Sequence, residues 1–153
     1  MSEPKNLYLL MAREVSADSR TGMTSIHDII EKFTSKVDKA SVHEQGLKPG
    51  EATILLQIPY YAATSWVLGK KLTADTFYNI RLEVIDPSGK SLGGPEQEHL
   101  IPKGAAKLNL NFNHQGLPAT TSGTYLLRTQ LLNKDKKLLA EAEYPFEIVL
   151  DWQ

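Results

Sequence analysis

The chain has no cysteine, which removes disulfides, thiolate metal ligands and cysteine nucleophiles together, so packing and backbone pairing must supply its stability. An excess of charge is missing too. With 17 basic against 18 acidic residues the formal charge is -1, so no global field draws the chain to nucleic acid or to an anionic membrane. Long apolar runs are also absent. Leu7 to Ala12 holds six apolar residues before Arg13-Glu14, whereas a secretory segment needs about 7 to 15 and a membrane helix about 20. No Asn-x-Ser/Thr acceptor occurs. These absences lead to the expectation of a soluble, cytoplasmic protein with neither nucleic acid nor membrane among its partners.

The alternating pattern near the C-terminus organises the rest. Thr124 to Leu132 and Leu138 to Leu150 are joined by the polar link Asn133 to Lys137. In the second run Leu138, Ala140, Ala142, Tyr144, Phe146, Ile148 and Leu150 share one face, while Glu141, Glu143 and Glu147 share the other. That period of two predicts a half-buried β-hairpin. Tyr78, Ile80, Leu82 and Val84 alternate in the same way with Asn79, Arg81 and Glu83, and Asp86-Pro87-Ser88-Gly89 closes that strand with a turn. Leu108, Leu110 and Phe112 alternate with Lys107, Asn109 and Asn111, predicting another strand. Gln97 to Ile101 reads as a short one, between the break at Gly93-Gly94-Pro95 and Pro102.

Other segments are less regular. Leu7 to Ala12 reads as a strand buried on both faces, and Ala52 to Ile58 as a strand ended by Pro59. Ser16 to Gly22 is a polar turn, and Thr34 to Gly50 a polar stretch ending in the turn Lys48-Pro49-Gly50. In Thr24 to Phe33 the spacing of Ile26, Ile29, Ile30 and Phe33 favours a short helix capped by Thr24 or Ser25, although ten residues are marginal without tertiary support. Ala62 to Thr76 has no clear period and reads as a long loop or a helical excursion. Seven or so strand-like runs without long helical crossovers predict one all-β domain over residues 1–153, a two-sheet antiparallel immunoglobulin-like sandwich with at most one short helix. Tyr125, entering a strand after Gly123, stands where such sandwiches carry a tyrosine corner.

Three sets of residues carry a family likeness: Leu7 to Ala12 followed by Thr21-Gly22 and Ile26 to Phe33, the strand ending in Asp86-Pro87-Ser88-Gly89-Lys90, and Ser122-Gly123-Thr124-Tyr125. With these the chain resembles a family of uncharacterised bacterial β-sandwich domains of about this length. The resemblance implies a sandwich with no assigned activity and an extended rather than helical Thr24 to Phe33. It also leaves Ala62 to Thr76 longer than such a family needs, the place for any specialisation of this chain.

Catalytic motifs fail on context. Gly89-Lys90-Ser91-Leu92-Gly93 matches the nucleophile elbow formally, but Gly94-Pro95 follows where a helix should start. A phosphate loop would need glycine where Val84 stands. His43-Glu44 begins like a zinc-protease helix, with Leu47 in place of the second histidine. The four histidines, His27, His43, His99 and His114, show no ligand spacing. Neither a metal site nor a cofactor is expected, and no enzyme activity. Glu141, Glu143 and Glu147 read as a solvated strand face.

Two surface readings remain. Tyr60, Tyr61 and Trp66 would form a platform for a carbohydrate or similar small molecule, unless they simply fill the core. Leu126, Leu132, Leu139 and Val149 lie on the nominally outward faces of the hairpin and need cover, either from Ile26 to Phe33 or from a second copy in a sheet-to-sheet homodimer. The expected function is a non-enzymatic interaction or structural module that binds a protein partner through a sheet face or edge, with the carbohydrate platform as the alternative.

Overall fold

The computed structural model describes residues 3–18, 20–21, 24–39 and 53–153. These form the strands β1 (Lys5–Ala17), β2 (Thr24–Ile29), β3 (Lys32–Val37), β4 (Ile54–Leu56), β5 (Tyr60–Val67), β6 (Thr76–Ile85), β7 (Glu96–Ile101), β8 (Lys107–His114), β9 (Leu117–Ala119), β10 (Gly123–Asn133) and β11 (Leu138–Trp152). One sheet has the order β2-β1-β5-β8 and the other β3-β11-β10-β6-β7, while β4 and β9 pair as a short ribbon. The two sheets pack face to face as an all-β sandwich. Among the described residues no helix is long and apolar enough to cross a membrane.

The alternating runs place the core. Ile80, Leu82 and Val84 of β6, Tyr125, Leu127 and Leu131 of β10, and Phe146, Ile148 and Leu150 of β11 turn inward against Met11 of β1, Trp66 of β5, and Leu108 and Phe112 of β8. Each such side chain contributes about 1.5 to 3 kcal/mol by leaving water. The β10–β11 hairpin is held in register from Gly123 opposite Ile148 to Leu132 opposite Leu138. Its link closes through Asn133, whose Oδ1 accepts from the amides of Asp135 and Lys137, both at 2.9 Å.

Four expectations are corrected. Thr24 to Phe33 is not a helix but the end of one sheet and the start of the other. Asp28 adopts a left-handed φ of 55°, and the chain then crosses over: Ile30 N donates to Met11 O at 2.7 Å, while Glu147 N donates to Glu31 O at 2.9 Å. Ile26, Ile29 and Ile30 therefore bond to β1 of one sheet and Phe33 to β11 of the other, and their helix-like spacing is a by-product of that crossover. Because β3 enters the second sheet beside β11, the two run parallel, Lys32 opposite Glu147 through Val37 opposite Trp152. Every other strand pair among the described residues is antiparallel. Leu7 to Ala12 is not buried throughout: Leu9, Met11 and Ala12 are buried, Tyr8 and Leu10 are half-buried, and Leu7 is exposed. Ala62 to Thr76 is no loop in its first half, because β5 is a central strand paired to β1 on one side and β8 on the other. Of the run expected as a strand from Ala52 to Ile58, only Ile54–Leu56 is strand among the described residues 53–58. The turn expected at Lys48-Pro49-Gly50 and the pair His43-Glu44 lie outside the described residues.

Candidate functional site

On the outer face of the five-stranded sheet, Glu141 and Glu143 face the hairpin's own polar side chains. Arg128 Nη2 meets Glu143 at 3.1 Å and Arg128 Nη1 meets Glu83 at 3.3 Å. Gln130 donates to Glu141 at 3.0 Å. Arg81 and Lys136 both hold Glu96, at 3.1 and 2.9 Å. The lattice is self-neutralising. It also separates the four residues expected as a self-association face. Leu126 sits between Ile85 and Pro145, and Leu132 between Asn79 and Leu138. Their spacing along β10 is about 20 Å, with Arg128 and Gln130 between. Leu132 is buried within the chain at 3% exposure, and Leu126, Leu139 and Val149 are half-buried. These four side chains do not make a contiguous apolar patch.

The aromatic platform is not assembled either. Tyr60 and Trp66 share the inward parity of β5 and are 3% and 0% exposed, while Tyr61 takes the opposite parity and is half-buried beside Ala12 and Asn113. Strand alternation sends the two sets to opposite faces. Ser91 lies in the β6–β7 turn, its hydroxyl donating to Glu83 Oε2 at 2.7 Å and accepting from Gly93 N at 3.2 Å. The described residues hold no cluster of three or more His, Asp or Glu fit for a metal ion.

The structure does bring together one site that the sequence left scattered, at the flank where β7 and β8 are the outer strands. A cleft of about 290 Å³ opens there between the sheets, walled by Leu55, Leu82, Val84, Leu92 and Leu127, with Glu83, Tyr60 and His114 also lining it. Its second wall is the segment Gly93-Gly94-Pro95, laid flat on β6 by Leu82 N donating to Pro95 O at 2.9 Å and Val84 N donating to Gly93 O at 3.1 Å. Glycine is required at position 94, where a Cβ would come within 2.0 Å of the Leu82 carbonyl oxygen. Leu55, 61% exposed, lies over Gly116 at the mouth.

Inside, His114 stacks on Tyr60 with ring centroids 4.8 Å apart, and Phe112 stands between His114 and His99 at 6.4 Å from each. The Nε2 atoms of both histidines are buried without a hydrogen-bond partner. Burial lowers both imidazoles below the ordinary histidine value and raises the Tyr60 phenol above its own, so all three are neutral at pH 7.

No protein-family model and no curated protein sequence matches the chain. A solved structure of Bacteroides uniformis beta-glucuronidase 2, covalently bound to cyclophellitol-6-carboxylate aziridine, is similar at 13% identity and a TM-score of 0.46, over 61% of this chain and 12% of that one. A likeness that distant carries no functional argument. The site must be read from its own residues.

β8 itself is the second part of the site. As the outermost strand of its sheet it pairs with β5 over eight residues without a register shift, and its other side has no strand partner among the described residues. From Leu108 to His114 it carries no charge and no proline. Asn6 to Leu10 of β1, beyond the reach of β2, is likewise uncharged but is interrupted by a bulge between Asn6 and Tyr8, β4 and β9 are three residues each, and other margins carry features that discourage pairing. β3 has Lys32 and Lys36, β7 has Glu96 and Glu98, and β2 has Asp28 in its left-handed conformation. β11 beyond the reach of β3 has Pro145. Glu147 N donates toward β3, so by alternation Pro145 places its missing donor on that same side.

Sequence reasoning found β8 but not the cleft. Leu55, Gly94 and His114 are far apart in the chain, and the local signals were only the Gly93-Gly94-Pro95 break and the uncharged run after Lys107.

Proposed function

We propose that the protein is a non-enzymatic interaction module of immunoglobulin-like build, and that a protein partner docks on it by adding an extended segment along β8. The observation that carries this reading is the chemistry of that edge: seven consecutive residues, Leu108 to His114, without charge, proline or bulge, along an outer strand that has no strand partner on its far side among the described residues. Strand addition draws affinity from main-chain hydrogen bonds and specificity from pockets for alternate side chains. β8 offers about 23 Å of open backbone, with a cleft at one end. The immunoglobulin-like build is supported by the chain's switch between sheets at Ile30-Glu31 and by the Tyr125 corner, where the phenol oxygen accepts from the amides of Thr120 and Thr121 at 2.9 and 3.0 Å.

The reading is tested by selecting peptides from a displayed random library and mapping them by amide hydrogen exchange. Selected peptides are expected to protect β8 amides that exchange freely in the unbound protein. Leu110→Lys, which sets an inward charge on the edge, is expected to weaken them at least ten-fold, with its melting curve recorded to separate docking from folding. Peptides that protect only the outer face of the five-stranded sheet would sink the proposal. Concentration-dependent dimerisation that Leu110→Lys abolishes would identify the added strand as β8 of a second copy.

A further inference from the structure

We infer that the end of the sandwich where β6 and β11 begin docks on an anionic lipid surface. This goes beyond the β8 reading and does not depend on it.

Lysines mark that end. The link from β5 to β6 carries Lys70 and Lys71, the link from β7 to β8 carries Lys103, and the hairpin link from β10 to β11 carries Lys134, Lys136 and Lys137. Pairing gathers the three links. Leu72 N donates to Ala105 O at 2.9 Å and Gly104 N to Leu72 O at 2.8 Å, while Thr76 lies opposite Ile101 and Tyr78 opposite Asn133. Lys5 and Lys107 join them, because both lie opposite Val67, the last residue of β5. All eight lysines are exposed, and among the described residues Lys136 alone of them is ion-paired, to Glu96 at 2.9 Å.

Charge is therefore divided along the molecule. The carboxylates at this end are Glu3, Asp75 and Asp135. Of 17 basic and 18 acidic residues the end holds eight and three, which leaves nine and fifteen for the rest. The formal charge of -1 averages this away, so the lack of a global field says nothing of a surface met end-on. Strands about 4.8 Å apart and sheets about 10 Å apart keep neighbouring lysines close to the Debye length of about 8 Å at physiological salt. They act together on a nearby anionic surface.

Apolar side chains select the partner. Of the six large apolar residues exposed among the described residues, four lie at this end. Phe77 of β6 stands opposite Leu100 of β7, Leu138 opens β11 directly after Lys137, and Leu7 follows Lys5 by two positions. Nucleic-acid phosphates would engage the lysines and gain nothing from the leucines. A protein partner would have to fit these separated residues with one complementary shape, and protein interfaces are depleted in lysine. A lipid interface is fluid and takes apolar side chains about 5 to 10 Å into the headgroup boundary. Phe77 and Leu100 are each one residue in from a strand end, about 3.3 Å, and lie within that depth. Lysine stems cover apolar surface while their ammonium groups stay at the headgroups.

The test is co-sedimentation with phosphatidylcholine vesicles, without and with about one-third phosphatidylserine. Binding is expected to the phosphatidylserine vesicles only, and to be lost in about 0.5 M salt. Lys70→Glu with Lys71→Glu is expected to weaken it at least about 25-fold, five-fold for each lysine. Phe77→Ser with Leu100→Ser is expected to weaken it about ten-fold. Lys32→Glu with Lys36→Glu changes two exposed lysines of β3, opposite Glu147 and Asp151 near the far end of β11, and is expected to leave it unchanged. All six positions are exposed, and melting curves confirm that each variant folds.

Absence of binding, equal binding to both kinds of vesicle, or binding that survives Lys70→Glu with Lys71→Glu overturns the inference. So does tighter binding to a DNA duplex that ignores Phe77→Ser with Leu100→Ser, which would assign the lysines to nucleic acid. If vesicles bind as expected but peptides do not protect β8, the lipid-facing end stands and the edge reading falls. If peptides protect β8 while vesicles do not bind, the reverse holds.

Discussion

Two clusters of buried polar groups sit in this sandwich, and they are built on opposite terms. At the corner before β10, Tyr125 accepts from two backbone amides and donates to Thr121 O. Thr120 Oγ1 in turn donates to Asp86 at 2.9 Å. Asp86 also accepts from Ser88 Oγ at 2.6 Å and from the amides of Ser88 and Lys90, each at 2.9 Å. Desolvation pushes this carboxyl up, but the four hydrogen bonds together outweigh it and hold it below the ordinary range. At the β7–β8 flank, His99 and His114 are half-buried on either side of Phe112, with buried Nε2 atoms that have no hydrogen-bond partner. A satisfied polar cluster fixes one geometry and resists change, whereas an unsatisfied one retains a cost that an incoming donor can relieve. The corner holds its geometry through satisfied bonds, and the flank does not.

The sharpest break in that contrast is Tyr125→Phe. It keeps the ring stacked on Phe146, 5.7 Å away, but strips the Thr120 and Thr121 amides of their acceptor. Thr120 is buried and Thr121 exposed, so a loss of about 1 to 3 kcal/mol is expected for the one buried orphan, read from urea unfolding. A loss under about 0.5 kcal/mol would mean that water replaces the phenol and that the corner is not what holds this end.

At the other cluster, His99→Leu should have the opposite sign. Removing an orphan nitrogen is expected to leave stability unchanged or raise it by up to about 1 kcal/mol at pH 7. The same variant changes the pH profile. His99 faces Tyr78 across β6 and the Phe112 ring, and its folded value lies below the ordinary 6.5. Between the folded value and 6.5 the unfolded chain therefore binds protons that the folded chain excludes. Stability falls as pH drops through that window and levels off below it. Asp86 and Glu96, both held low, add their own loss only as pH falls below about 4.5. His99→Leu should make the limb below pH 6.5 shallower and leave the share of His114, which burial also holds low, and an unchanged limb would count against a proton-excluding imidazole at His99.

The smallest effect is expected on the outer lattice. Arg128→Ala removes contacts to Glu83 and Glu143, but the pairs are solvent-accessible and screened. A change of about 0.5 to 1 kcal/mol that shrinks further in 0.5 M salt is expected. A loss as large as that of Tyr125→Phe would erase the distinction between surface lattice and buried corner.

Legibility followed solvent. β6, β8, β10 and β11 each have one wet face, and their alternation could be read residue by residue, down to the link at Asn133 to Lys137. Tyr125 was readable because its chemistry is local, reaching only four and five residues back. β5 was not, because Ala62, Ala63, Thr64, Ser65 and Trp66 are all buried, and a strand enclosed on both faces has no period to show. For the same reason Tyr60, Tyr61 and Trp66 read as one group when the pleat divides them. The cleft was invisible because its lining comes from β4, β5, β6, β8, β9, β10 and the turns beside them, and an orphaned nitrogen is a property of packing alone.

The parallel seating of β3 beside β11 also sets an order of assembly. Lys32 finds its partner in Glu147 and Val37 in Trp152, so on the ribosome these early residues wait unpaired until more than a hundred later ones have emerged. Until β11 arrives, the five-stranded sheet has neither the hairpin nor the margin on which β3 lies. The seam between β3 and β11 is therefore the final stitch, and slow closure there would leave the nascent chain exposed to chaperones and proteases for longer than a sandwich of hairpins alone.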